Sequence, residues 1–323
     1  MSEGPATTPH STTPWALRPG RSLALDRPRV MAIINSTPDS FSDGGLALDP
    51  EHAAARAHQA VAEGADLLDI GGESTKPGSA RVNIPDQIAR VVPAIRAIRD
   101  AGIDAPITID TTRAAVAESA LDAGADAIND VSGGTEDPQM LPLAAERRVG
   151  VILMHRLRTP EADSYSDQYK RPPDYPGGVV HAVRTALAER FRAATAAGIA
   201  PEAVVLDPGL GFGKTVEQNL ALIHGTPDLV TLGRPLLGAA SRKSFVARVQ
   251  DPELDPDRDP ARPAPPTDRL EGSLALAVVQ LTLGIRLFRV HDVRAHRRTL
   301  DAAFAVDGGF PHRRASTLGR PNP

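Results

Sequence analysis

Short runs of Ile, Val and Leu recur along the chain, and each is followed by a cluster of polar residues and glycine. Eight of these runs predict strands, centred on 30–34, 67–70, 107–109, 127–128, 151–154, 203–206, 236–239 and 287–290. Longer Ala- and Arg-rich segments lie between them and predict helices, among them 50–63, 85–100, 112–123, 179–197 and 271–283. Several end at a glycine (Gly64, Gly102, Gly124, Gly198, Gly284), the residue that takes the left-handed conformation closing a helix without steric cost. Strand, helix, glycine, strand in repetition is the pattern of βα units around a parallel sheet. Eight units predict an α/β fold, a (β/α)8 TIM barrel in a single domain, whose strand ends would carry all the polar clusters to one shared face.

Two stretches interrupt this rhythm. Residues 251–268 are rich in Pro and Asp and predict an exposed insertion, and 156–176 is a long connection whose Tyr165, Tyr169 and Tyr175 would pack on the rim or gate the site. Residues 1–25 begin rich in Ser, Thr and Pro and are expected to be a disordered tail, leaving 26–306 for the barrel and 307–323 for a C-terminal tail. A chain of 323 residues suits one barrel of about 250 residues with such additions.

The net charge of −4 gives no electrostatic footprint for nucleic acid. With no cysteine, the chain has no disulfide, thiolate metal site or Cys nucleophile, in keeping with a reducing cytoplasm. Residues 1–20 lack the apolar core of a signal peptide, and the most hydrophobic helix, 272–283, is interrupted by Gln280 and Thr282, so neither export nor membrane insertion is expected.

The polar clusters suggest a chemistry. Asp110, Asn129, Asp207 and Lys243 end or closely follow strands and would converge at the catalytic mouth. Two carboxylates, an amide and an ammonium match the adjacent donors and acceptors of a flat heterocycle. Taken singly, Asp69, Asp130 and Asp207 could equally cap the segments that follow them. Arg289 and His291 are two residues apart on the last strand, so both face the barrel interior or its mouth and suit an anion. Arg242 and Lys243, in SRKS, precede a helix where barrels often bind phosphate, although arginines also form surface ion pairs.

DPGLGFGKT (207–215) ends like a P-loop, but the position five before Gly213 is Pro208 and not glycine. A loop presenting Phe212 between glycines to a planar ligand is the better physical reading. GGEST (71–75) has the flexibility and hydroxyls of a mobile anion-contacting loop. His155 is either a ligand or base, or a buried histidine with its hydrogen bonds satisfied. No HExxH or GxSxG motif supports a zinc or serine hydrolase.

Eight ordered motifs, NSTPDSFSDGG, DIGGESTKPGS, TIDTTR, INDVSGG, LMH, LDPGLGFGKT, SRKS and RVHDV, span roughly residues 28–305. Through them the chain resembles the dihydropteroate synthases of the folate pathway. The resemblance implies a cytoplasmic, homodimeric transferase that joins 6-hydroxymethyl-7,8-dihydropterin diphosphate to 4-aminobenzoate, releasing pyrophosphate with the help of Mg²⁺. It implies a pterin pocket of Asp110, Asn129, Met154, Asp207 and Lys243, and a diphosphate site of Asn35, Thr75, Arg289 and His291, with Asn35 also meeting the metal. Phe41, Thr75, Pro77, Phe212 and Ser244 would surround the aminobenzoate, and Asp110, Lys243, Asn35 and His291 would be catalytic.

The implied chemistry is stepwise, with diphosphate leaving before the amine attacks. Three positions depart from the family pattern: Lys76 where Arg is usual, Ser36 for Val, and Arg156 for an apolar residue. Two rivals remain. A pterin-binding methyltransferase would need no diphosphate site, and a catalytically silent paralogue would bind pterin without turnover.

Overall fold

The structure, a computed structural model, describes residues 13–35, 49–251 and 265–306. A hairpin of β1 (Trp15–Arg18) and β2 (Arg21–Leu23) precedes β3 (Arg29–Asn35). Then follow α1 (Pro50–Ala62), β4 (Leu67–Gly71), α2 (Ile84–Asp100), β5 (Ile107–Asp110), α3 (Ala114–Asp122), β6 (Ala127–Asp130), α4 (Met140–Arg147) and β7 (Gly150–Met154). The chain continues through α5 (Val179–Ala196), β8 (Val204–Asp207), α6 (Val216–His224), α7 (Thr226–Val230), β9 (Leu237–Gly238), α8 (Ser244–Gln250), α9 (Leu270–Thr282), β10 (Leu287–Val290) and α10 (Val293–Phe304).

Strands β3 to β10 form one parallel sheet in the order β8-β7-β6-β5-β4-β3-β10-β9, and a parallel bridge between Leu206 and Leu236 closes the ring. This is the (β/α)8 barrel that the hydrophobic pattern predicts. Alternation along each strand sorts its side chains. Val30, Ile70, Ile109, Ile128, Leu153, Val204 and Phe288 join the helices in the outer core. Met31, Leu67, Ala127, Ile152, Val205, Leu237 and Leu287 fill the lower barrel interior.

That inner cluster also contains Trp15, Leu17, Leu23 and Leu25. The expectation of a disordered 1–25 is therefore corrected: residues 15–25 form a plug that seals the end of the barrel opposite the polar strand ends. Trp15 is fully buried and its indole donates to the Ala203 carbonyl at 2.9 Å. Gly150 admits the plug, because a Cβ there would lie 2.5 Å from the Ala16 carbonyl oxygen.

In the long connection, the Tyr175 hydroxyl donates to the Gly213 carbonyl at 2.7 Å and that of Tyr169 to Asp163, so both pack on the rim, while Tyr165 is exposed. Of the expected insertion, only 251 and 265–268 are described, the latter including a 3-10 turn at Pro266–Asp268. Residues 1–12 and 307–323 of the expected tails, Ser36 and Phe41 lie outside the described residues. Among the described residues no helix is long and apolar enough to cross a membrane.

Candidate active site

Strand register assembles the site. Asp110 at the end of β5 is aligned with Asn129 on β6, and Met154 at the end of β7 with Asp207 on β8. All four are buried. Two residues below Gly71 on the same inward row of β4 stands Asp69, whose side chain is entirely enclosed. It accepts from Arg289 Nε at 2.6 Å, from the Asn129 amide at 3.2 and 3.3 Å, and from the Thr108 hydroxyl. The other arm of Arg289 donates to Asp110 at 2.8 Å.

Asp69 is thus the hub that joins the expected anion residue to the expected pterin residues, and the sequence reading gave it no such role. The signal was there: residues 67, 69 and 71 share one face, and Asp69 shares the inward row of Leu67.

Burial shapes the charges. It pushes the Asp110 carboxyl up to about 7, against the pull of Arg289, with Asp69 adding repulsion. It raises Asp207 too, opposed by Lys243. Burial works against the Arg289 guanidinium, but Asp69 and Asp110 outweigh it and keep the group charged. Lys243, at the start of α8, is pulled down to about 8, by burial first, with Asp207 opposing. Its ammonium donates to the Leu210 carbonyl and lies 4.6 Å from the centre of the Phe212 ring.

His291 stands at the mouth, where its Nδ1 is 3.2 Å from the Ser241 hydroxyl. Surrounding protein first, then Arg289 and Arg242, depress its imidazole below the ordinary value, although the residue stays exposed to solvent. Arg242 itself is paired with Asp292 and is held in the left-handed conformation, φ 59°. The anion role considered for Arg242 therefore gives way to an ion pair.

Thr75 and Pro77 lie half-buried on the loop after β4. Arg81 ties that loop to Glu136 and Glu161, and the Gly78 amide donates to the Pro160 carbonyl at 2.8 Å. Ser244 accepts from the Ser166 amide at 3.2 Å, on the side of the long connection. Of Asn35 the structure describes only the backbone, aligned with Gly71 on the rim; its side chain lies outside the described residues.

The departure at Arg156 has a physical account, since its guanidinium pairs with Glu136. Burial would raise the Glu136 carboxyl, but Arg81, Thr112 and Arg156 outweigh it and hold it at about 2. Lys76 is exposed on the mouth, and its charge contributes to depressing His291. Among the described residues no group of three His, Cys, Asp or Glu is arranged to hold a metal ion.

These features define a (β/α)8 barrel of the enzyme type, with buried carboxylates and an amide at its mouth beside cationic side chains. The model of the pterin binding enzyme family matches residues 31–291. The dihydropteroate synthase of Synechocystis sp. is 40% identical over 280 residues, covering 87% of this chain and 90% of that one. A Mycobacterium leprae protein called inactive dihydropteroate synthase 2 is 41% identical over 298 residues, covering 90% and 95%. A solved structure of Xanthomonas albilineans dihydropteroate synthase with 4-aminobenzoic acid superimposes with a TM-score of 0.78 at 39% identity, covering 92% and 98%. The chain belongs to the dihydropteroate synthase family of pterin-binding enzymes.

Proposed function

We propose that this protein catalyses the dihydropteroate synthase reaction, joining 6-hydroxymethyl-7,8-dihydropterin diphosphate to 4-aminobenzoate and releasing pyrophosphate. The observation that carries this reading is the continuous network from Asp110 through Arg289 and Asp69 to Asn129, in a mouth that also holds Asp207 and Lys243. Asp207 gives one oxygen to the Gly209 amide at 2.7 Å, and its other oxygen is the acceptor for a pterin amino group. Asn129 and Lys243 supply donors to the ring, and Met154 lines it.

The diphosphate meets Arg289 and His291, with Thr75 and Asn35 from the rim. When Ser241 donates its hydroxyl to Nδ1 of His291, the ring proton stands on Nε2 as a donor to the anion. Stabilising the leaving group this way lets the carbon–oxygen bond break first. Asp110 in its ionised form then faces the pterin cation, and the neutral amine attacks between Phe212, Pro77 and Ser244, its displaced N–H proton passing to the released pyrophosphate or to water.

A magnesium ion belongs to this reading, since such ions take most of their ligands from substrate phosphates and water. Asn35 would contribute to holding it, and when bound it would neutralise charge on the departing diphosphate. A homodimer in the cytoplasm completes the reading.

Pyrophosphate release that depends on adding 4-aminobenzoate is the test. A second reading has its own support, because a relative called inactive is as similar to this chain as one called a synthase. Pterin binding without pyrophosphate release would establish it in place of the first.

A further inference from the structure

Lys214 has no part in the reaction described above, yet it is among the largest fully buried side chains of the protein. Burying an ammonium is costly unless every donor is met. An ammonium has three N–H donors, and Lys214 Nζ has acceptors at hydrogen-bonding distance in the Gly209 carbonyl (2.9 Å), the Phe212 carbonyl (2.8 Å) and His155 Nδ1 (3.1 Å). The third requires a neutral His155 protonated on Nε2. Burial first, and then the charge of Lys214, push that imidazole down to about 3, which keeps it neutral.

Two of these acceptors belong to the irregular loop after β8. Gly209, Gly211 and Gly213 all take positive φ there, of 68°, 79° and 68°. At Gly209 no side chain could be accommodated, since a Cβ would lie 1.8 Å from the His155 carbonyl oxygen. The Gly209 and Phe212 carbonyls of this loop turn inward onto Lys214. The loop presents to the site the Phe212 ring and the Leu210 carbonyl, the two groups against which the Lys243 ammonium rests.

We propose that Lys214 is a positioning residue for the pterin pocket: by drawing the Gly209 and Phe212 carbonyls and His155 onto one buried ammonium, it shapes the loop that places Lys243. The proposal rests on the reading that this mouth binds pterin. Burial, and then the charge of Lys243, pull the Lys214 amine down to about 7, against Asp207 and Asp163. An apolar side chain of similar length would be less costly to bury, so the polar head is explained by what it organises. The glycine-lysine-threonine sequence here is an internal brace, and its lysine turns toward its own loop.

The test is calorimetric titration of the full chain with a dihydropterin analogue that lacks the diphosphate. Lys214→Met, shown to be folded by circular dichroism, is expected to bind about tenfold more weakly than wild type. In a Lys243→Met background the same change is expected to cost less than about twofold, because a residue that acts through Lys243 has nothing left to position. Wild-type affinity in Lys214→Met, or losses that multiply in the double variant, would overturn the proposal.

Should Lys214→Met not fold, His155→Leu and His155→Gln replace it. The leucine variant is expected to weaken binding and the glutamine variant, whose amide oxygen can accept from Lys214, to restore it. Identical affinities for the two would overturn the proposal. A wild-type chain that binds the analogue but releases no pyrophosphate from the dihydropterin diphosphate when 4-aminobenzoate is added removes only the catalytic reading, while one that does not bind the analogue removes both.

Discussion

Asp69, Asp130 and Asp207 each stand at or near the end of an apolar run, and the fold gives each a different task. Asp130 spends both oxygens on the backbone, accepting from the Ser132 amide at 2.7 Å and the Gly134 amide at 2.8 Å. Asp207 gives one oxygen to its loop, and Asp69 turns into the barrel to hold Arg289 and Asn129. Strand parity separates them: Asp69 and Asp207 share the inward rows of Leu67 and Val205, while Asp130 falls on the outward row of Ile128.

One consequence concerns Arg289. As an anion ligand alone, its loss would leave a diphosphate-free pterin bound as before. Because it bridges Asp69 and Asp110, Arg289→Ala strips two buried carboxylates of their counter-charge. We expect it to weaken binding of both the diphosphorylated and the unphosphorylated pterin, the former more. Unchanged affinity for the unphosphorylated ligand, measured by titration, would refute that coupling.

Among the elements, the β1–β2 hairpin lies furthest from what the chain's composition suggested. Its apolar residues, Trp15, Leu17, Leu23 and Leu25, alternate around Pro19 and Gly20, which is a hairpin pattern. They adjoin a Ser/Thr/Pro-rich stretch, and so short a hairpin is stable only when its apolar face meets a partner. That partner is the open lower end of the barrel. Trp15→Ala is expected to cost about 3–5 kcal/mol in urea unfolding, as for other buried aromatic truncations, with little change in the kcat of the folded fraction because the site lies at the opposite end. A loss below about 1 kcal/mol would mean that the plug is not part of the cooperative core.

Across the whole molecule, the response to pH is the sum of buried groups with opposite signs. Burial raises Asp110, Asp130 and Asp207, so between their unfolded and folded values the native state holds more protons and these groups lose stability as pH rises. His155 is the opposite case, depressed from 6.5 to about 3. In that window the unfolded chain binds the extra proton, so this contribution is present above about pH 6.5 and is lost as pH falls towards 3. The difference between variants isolates it. His155→Gln is expected to lose less stability than wild type between pH 6.5 and pH 3 in parallel thermal melts, and parallel curves would show that the imidazole is not held neutral.

The chain by itself determined the barrel. Runs of β-branched and apolar residues, Ala-rich helical spacing and closing glycines are local properties, and eight repetitions leave few other ways to bury the strands. It also determined which residue types would reach the mouth, because strand ends in such a barrel share one face. Tertiary structure decided which of those groups meet. Arg289 reaches Asp69 across 220 residues and Asp110 across 179, and Lys214 meets His155 across 59. Ring closure makes these pairs neighbours, and burial then sets their charge. Neither is encoded in local spacing, because a hydrogen bond depends on distance in space and a shifted pKa on the loss of water around the group.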